Sequence, residues 1–441
     1  MIRRSAMARQ PWLYAVTWTA LALAGGAPAF SAQPFALEDG QTVVFYGDSI
    51  TAQRLYTRDV EDFVLTRYPA LHIRFVNAGV PGDTAAGGYA GTMAERVERD
   101  VAPWQPAMVT VMLGMNDGGW GYGSPAQIET DFQSRYTALL SALHQAAPGA
   151  ALTLISPTPY DEITHGTEFP GYSRMIDRFA EDVQRIAGQM QSAGDAPILL
   201  VDFHQPMVEA LERAHAYDPQ LAPLLIPDRI HPAEVGHWIM AATLMSAWHV
   251  NPVVSSVTLN GTDATVMEAG RTAITELQKS DDGLQWTQRD DALPLPLDFN
   301  NAMTPLLLQI SGIAEIDRQI LRVESLDPGE YELSIDGNPV ASFPRDALQH
   351  GVNLALYKTP MLSQAREIAS TEDQRAELDQ ARFILSANVK QIATSGIAEA
   401  SLRAAEDELD ATMRGNLVPK PHRFTLRQVR TPMSTGASVT H

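Results

Sequence analysis

Asp228 and His231 stand three residues apart in Asp228-Arg229-Ile230-His231-Pro232, directly ahead of an apolar stretch at about Ala233–His249. That spacing brings a carboxylate and an imidazole to one side of a tight turn or helical start, with the second ring nitrogen left to act on another group. Acyl transfer by a serine needs such a pair: a base that takes the hydroxyl proton, and a carboxylate that fixes the tautomer and stabilises the imidazolium. Gly47-Asp48-Ser49-Ile50 supplies a serine where the apolar run Thr42–Tyr46 gives way to a helical pattern. A serine at such a junction also serves as a helix N-cap, so the tetrapeptide alone does not choose. Two further glycine-containing polar segments follow apolar runs in the same way, Asn77–Thr84 and Gly114–Gly119. The two glycines of the first suggest backbone that must turn sharply or approach a ligand closely, and in the second the Asn116 amide could point into the same crevice. An ordinary β-to-α loop and a turn-forming Asn-Asp are their plain structural readings.

These segments need a scaffold that brings them together. Thr42–Tyr46, Ile73–Val76, Met108–Leu113, Ala151–Ile155 and Ile198–Val201 read as buried strands. Leu55–Tyr68, Met93–Val101, Pro125–Ala147 and Tyr172–Met190 between them repeat apolar residues at three- and four-residue spacing, the helical period. Strand–helix alternation implies a parallel sheet covered on both faces. Ligands bind such sheets at the carboxyl ends of the strands, where all the polar segments fall.

Taken in order, the four blocks resemble those of the SGNH (GDSL-type) hydrolase superfamily, over about Thr42 to His249. Gly47-Asp48-Ser49 is similar to its nucleophile block, Gly82 to its glycine block, Gly114-Met115-Asn116-Asp117 to its asparagine block and Asp228-x-x-His231 to its last block; Ile50 stands where the popular name has Leu. The resemblance implies a three-layer α/β/α fold of flavodoxin-like type and an esterase. In it Ser49 is the nucleophile, His231 the base and Asp228 its partner, with the Ser49 and Gly82 N–H groups and the Asn116 amide as oxyanion hole. It implies no metal and no cofactor, and the sequence holds no His-Glu-x-x-His, calcium-loop, dinucleotide or phosphate-loop pattern.

Composition narrows the rest. With no cysteine among 441 residues, thiol nucleophiles, thiolate zinc sites and disulfides are excluded. A formal charge of -20 argues against nucleic acid as a partner. Arg3, Arg4 and Arg9, then an apolar stretch from Trp12 to about Ala24 and small residues to Ala29, match a secretory signal peptide. We therefore expect export to the periplasm or beyond, and no stable membrane insertion once the signal is removed. The expected division is signal 1–32, catalytic domain 33–250, β-rich module 251–360, helical hairpin and extension 361–429, and tail 430–441.

Beyond Asn251-Pro252, turn pairs separate short runs, and Val254–Leu259, Leu284–Gln288, Leu306–Ile310, Gln319–Val323 and Tyr331–Ile335 read as strands of a β-sandwich-like module. Thr371–Met413 reads as a helical hairpin, opened by a Thr371/Gln374 capping box, broken at Ser395-Gly396, and with Leu378, Ala381, Leu385, Val389 and Ile392 as an apolar face. We expect the module or hairpin to flank the site or to dock on the far side. Trp120 and Tyr122, in a glycine-rich stretch after Asn116, are candidate substrate-binding rings for a sugar or acyl chain, as are Tyr160, Phe169 and Tyr172 in another loop; filling gaps between loops is the alternative. The expected substrate is a small-molecule or glycan ester with a short acyl group, acetyl foremost. An exported O-acetyltransferase using the same triad and a carbohydrate-binding protein on an inactive scaffold are the competing readings.

Overall fold

The computed structural model describes residues 34–193, 197–388 and 395–429. The signal segment and the tail lie outside the described residues.

Five strands form one parallel sheet: β1 (Thr42–Gly47), β2 (Arg74–Gly79), β3 (Met108–Met112), β4 (Ala151–Ile155) and β5 (Ile198–Val201). Their order is β2-β1-β3-β4-β5. Crossovers are right-handed, so the reversal of direction after β2 sends the helices to opposite faces. α2 (Leu55–Arg67) packs with α7 (Glu234–Ala247), which also meets α6 (His204–Tyr217); α3 (Met93–Asp100), α4 (Pro125–Ala146) and α5 (Tyr172–Ala193) form the other layer. Cover on both faces explains why Val43–Tyr46 and Val109–Met112 are buried without alternation. α6 escaped the sequence reading. The reversal places the switch point between β1 and β3, where a doubly wound sheet opens a crevice for ligand.

The C-terminal half holds two sheets sharing one core. β6 (Val253–Asn260), β7 (Thr265–Gly270), β10 (Arg318–Glu324) and the short strand Val352–Asn353 form the first; β8 (Thr272–Ser280), β9 (Gly283–Asp290), β11 (Glu330–Ile335), β12 (Asn338–Pro344) and β13 (His422–Gln428) form the second. Val257, Leu259, Leu321 and Val323 of the first pack with Trp286, Leu333, Phe424 and Leu426 of the second. β13 enters between β9 and β11, so the segment expected to be helical hairpin and extension completes the sheet, and 360 is no boundary in space.

Three local expectations are corrected. Leu306–Ile310 is not a strand but most of α8 (Thr304–Ile310): Pro305 in the first turn pre-sets helical φ, and Leu306, Leu307 and Ile310 share a buried helical face. Thr371 and Gln374 form no capping box, because α9 runs unbroken from Pro360 to Asn388. Its start is at Thr359, whose Oγ1 accepts from Leu362 N–H at 3.2 Å with Pro360 next to it, while Thr371 Oγ1 donates to the Glu367 carbonyl inside the helix. Ser395-Gly396 opens α10 (Ser395–Asn416) rather than standing between helices. Nor is Leu378, Ala381 and Leu385 the most buried side of α9; that stripe is Glu372, Ala376, Asp379 and Arg382. Val389 and Ile392 lie outside the described residues. α9 meets α2 through ions: Arg54–Asp379 at 3.2 Å, Arg58–Asp373 at 2.5 Å, and Arg375 on Glu61.

The two halves are joined by more than Asn251-Pro252. Leu295, Leu297, Leu306, Leu307, Ile310 and Ile313 belong to the catalytic core. Arg67, fully buried at the end of α2, pairs with Asp317 at 2.6 Å and donates to the carbonyls of Asn251 and Ile316.

Candidate active site

β1 ends at Gly47, where a Cβ would lie 2.2 Å from Thr51 Oγ1 and 2.8 Å from the Met112 carbonyl. Only glycine lets the chain turn there into the single-turn helix α1 (Ser49–Ala52). Asp48, not Ser49, is the cap, its carboxylate accepting from Ile50 N–H at 2.9 Å. Ser49 thus escapes the capping role that competed for it, and its hydroxyl faces the histidine. Asn77 within β2 donates to the Thr51 carbonyl at 2.8 Å and holds α1 against the neighbouring strand.

His231 Nε2 lies 2.8 Å from Ser49 Oγ, and His231 Nδ1 lies 2.6 Å from Asp228 Oδ2. With Nδ1–H donating to the carboxylate, Nε2 is left to accept the serine proton. Asp228 Oδ1 also accepts from the backbone N–H groups of His231 at 2.7 Å and Ile230 at 3.0 Å. Burial pushes the Asp228 carboxyl up, but these hydrogen bonds outweigh it and hold it below the usual carboxylate range. The turn depends on Arg229, a non-glycine residue at φ +70°. Its carbonyl accepts from Asp161 N–H at 2.9 Å, its Nε donates to the Gly166 carbonyl at 3.1 Å, and its guanidinium pairs with Glu168 at 3.1 Å. The 160–169 loop, stiffened by buried Asp161 on Ile163 and Thr164, therefore clasps the turn that carries the imidazole.

Gly82 sits at φ +74°, and a Cβ there would meet nothing within 4 Å. It needs the left-handed backbone of a sharp turn, one of the two roles the glycines of this loop suggested, and the open space leaves room for close approach to its N–H. Its N–H has no acceptor among the described residues. Asn116 Nδ2 donates to the Asp83 carbonyl at 3.0 Å, which spends one amide N–H on fixing this loop and leaves the other. Beneath, fully buried Arg96 from α3 pairs with Asp83 and with Asp100 at 2.7 Å, and donates to the Ala78 carbonyl. Asp117 Oδ1 accepts from Ala85 N–H at 3.0 Å and ties the glycine loop to the asparagine loop. Burial lifts the carboxyls of Asp48 and Asp117 to about 7 and of Asp83 to about 6, in the last case despite Arg96.

Trp120 stacks on Tyr172 at 4.9 Å between ring centroids, and Phe169 and Tyr160 complete the cluster. Tyr172 reaches under the asparagine block, its hydroxyl donating to the Met115 carbonyl. Tyr122 is 82% exposed and has no ring contact among the described residues. His237 is structural, as its helical position suggested: Nδ1 accepts from Tyr56 N–H, Nε2 bonds Gln53, and burial lowers it to about 3. Arg96, Asp161 and Arg229 were missed as site-building residues. Thr92 and Glu95, three apart, form the capping box that starts the helix of Arg96 and were the one available signal.

One hydroxyl, one imidazole with a fixed tautomer and donors on adjacent loops can carry out acyl transfer without a metal. The class defined by fold and site is that of the SGNH serine ester hydrolases. The family described as GDSL-like Lipase/Acylhydrolase matches residues 45–239. Esterase TesA of Pseudomonas aeruginosa is 30% identical over 175 residues, 36% of this chain and 81% of that protein. The acetylxylan esterase of Geobacillus stearothermophilus is 28% identical over 222 residues, 47% of this chain and 93% of that protein. The chain belongs to this family. The structure of a gut microbial diltiazem-metabolizing enzyme, 23% identical, covers 89% of this chain and 98% of its own with a TM-score of 0.74, so its likeness of fold extends into the C-terminal half.

Proposed function

We propose that this chain is an exported esterase that removes short acyl groups, acetyl foremost, from a saccharide through an acyl-enzyme on Ser49. The observation that carries it is the line Asp228–His231–Ser49, at 2.6 and 2.8 Å, at the sheet end where the loops of Gly82 and Asn116 follow the neighbouring strands. Ser49 Oγ attacks the ester carbonyl as its proton passes to His231 Nε2. Negative charge then gathers on the carbonyl oxygen, facing the free Asn116 N–H, the Gly82 N–H and the first-turn N–H of Ser49. Collapse breaks the bond to the alcohol, which leaves with the His231 proton. Water, deprotonated by His231, then attacks the acyl-serine and releases the acid.

Saccharide and acetyl are favoured by two things. Trp120 offers a ring next to the asparagine loop, with exposed Tyr122 on the same loop as a second, and a relative over most of its own length is named an acetylxylan esterase. A long-chain substrate would need an apolar cover, whereas the hairpin meets α2 through ion pairs. Export rests on the N-terminal pattern of arginines, apolar stretch and small residues. The test is hydrolysis of 4-nitrophenyl acetate by wild type, Ser49→Ala, His231→Ala and the double variant, then of longer acyl chains and acetylated xylo-oligosaccharides. Each single variant should lose several orders of magnitude in kcat, with the double no worse, because nucleophile and base act as a unit. A Ser49→Ala protein keeping a tenth of wild-type turnover would falsify the assignment.

A further inference from the structure

A cavity of about 300 Å³ opens between the glycine-rich stretch after Asn116 and the first turns of α5. Its wall includes Gly118, Gly121, Ile128, Tyr172, Arg174 and Arg178. That volume is at the small end of ligand sites and suits one sugar-sized group. It backs directly onto the oxyanion loop, because Gly118 is two residues from Asn116, within about 7 Å along the chain. Tyr172 spans the same interval: it lines the cavity, donates to the Met115 carbonyl and carries Trp120 on its ring.

The charge at this place runs against that of the molecule. In a chain of net charge -20, two guanidiniums share one cavity. Arg178 is engaged by Glu129 at 3.1 Å. Arg174 makes no ion pair among the described residues, and its guanidinium folds over Gly171, where a Cβ would come within 3.7 Å of Nη2. Gly171, at φ +84°, lines the cavity itself. Ile128 and Met175 give the remainder an apolar floor. A planar fork of donors above an apolar floor fits a carboxylate carried on a ring.

We infer that this cavity is a subsite for a carboxylate-bearing portion of the substrate, read by Arg174, so that acetylated acidic saccharides are preferred over neutral ones. The inference rests on Ser49 and Asn116 acting as proposed above, since they fix where the scissile ester lies. The test compares the acetylated methyl glucoside with the matching acetylated methyl glucuronoside, which differ by hydroxymethyl against carboxylate, and uses 4-nitrophenyl acetate as reference. Wild type should show a lower KM for the glucuronoside, with the advantage shrinking as NaCl is raised. Arg174→Gln should raise KM for the glucuronoside about tenfold or more, the loss of one charge-assisted contact, while leaving the glucoside and 4-nitrophenyl acetate unchanged. No wild-type preference for the glucuronoside, or an Arg174→Gln effect equal on both sugars, would overturn it. Calorimetric binding of both sugars to Ser49→Ala gives the answer independently of turnover. Preference there that depends on Arg174 supports the subsite even where hydrolysis fails, and equal affinities refute it.

Discussion

Asn116 and Gly82 make separable contributions beside the hydroxyl. Replacing Asn116 by Ala should lower kcat by about 10²-fold with little change in KM, the loss of one oxyanion donor; a rise in KM alone would make it a binding residue. Gly82 demands a left-handed backbone in open space, so activity should fall in the order Gly, Asn, Ala, Val, following tolerance of positive φ. Activities of Gly82→Asn and Gly82→Ala that fall together with Val would point instead to steric blockage. At this scale type, spacing and position after apolar runs single out Ser49, Asp228 and His231, and the three side chains lie within hydrogen-bond reach of one another. What the sequence left open was the reason for individual residues. Asp48 takes the cap from Ser49, and Gly82 is glycine for its φ, and neither is a property of composition.

Loops and helices decide whether those groups stay aligned. The 160–169 loop holds the His231 turn through Arg229. Arg229→Ala should lower kcat about tenfold or more with KM nearly constant, since small misplacement of a base is costly, and Arg229→Lys should restore only part because it lacks the fork. Equal loss of thermal stability and activity in both variants would reduce Arg229 to a general fold residue. Arg96 is a buried cation facing buried carboxylates, and Arg96→Met should cost about 3–5 kcal/mol in denaturant unfolding by leaving Asp83 and Asp100 uncompensated. The parallel-sheet elements were legible from periodicity to within a residue or two at most ends. Leu306–Ile310 was not, because five consecutive apolar or amide residues fit either period and Pro305 tips them into a helix. β13 was hidden because its strand partners lie some 90 residues and more upstream.

At the scale of the molecule, residues of the C-terminal half complete the catalytic core, so the described part should fold as one unit. Truncation after Asn251 removes Leu295, Leu297, Leu306 and Leu307 from the catalytic core and strips Asp317 from buried Arg67. The remnant should therefore be insoluble or molten, and a cooperatively folding, active remnant would contradict the shared core. The hairpin meets α2, and Asn301 of the C-terminal half donates to Glu234 at 2.7 Å, three residues beyond His231. The buried carboxyls also set a pH dependence. Asp48 and Asp117 near 7, and Asp83 and Asp317 near 6, keep their protons in the fold where the unfolded chain has lost them. The folded state therefore binds more protons between about pH 4 and 7, and stability falls as pH rises through that window. His237, held near 3, opposes this, its contribution being lost as pH drops below about 6.5. Burial pushes Asp59, Glu61, Asp62 and Glu372 up as well, so the raised carboxyls outweigh His237 and the melting temperature should be higher at pH 5.5 than at 8.5; the reverse order would show that these carboxyls ionise freely.

Covalent trapping reads the nucleophile without reference to any particular substrate. Wild type, Ser49→Ala and His231→Ala are treated with an organophosphonate that forms a stable tetrahedral adduct, and digested peptides are mapped by mass. Wild type should carry a single adduct on the peptide containing Ser49, formed in parallel with loss of esterase activity, slowed by orders of magnitude in His231→Ala and absent in Ser49→Ala. An adduct on another residue, or full inactivation of Ser49→Ala with the same stoichiometry, would contradict the triad.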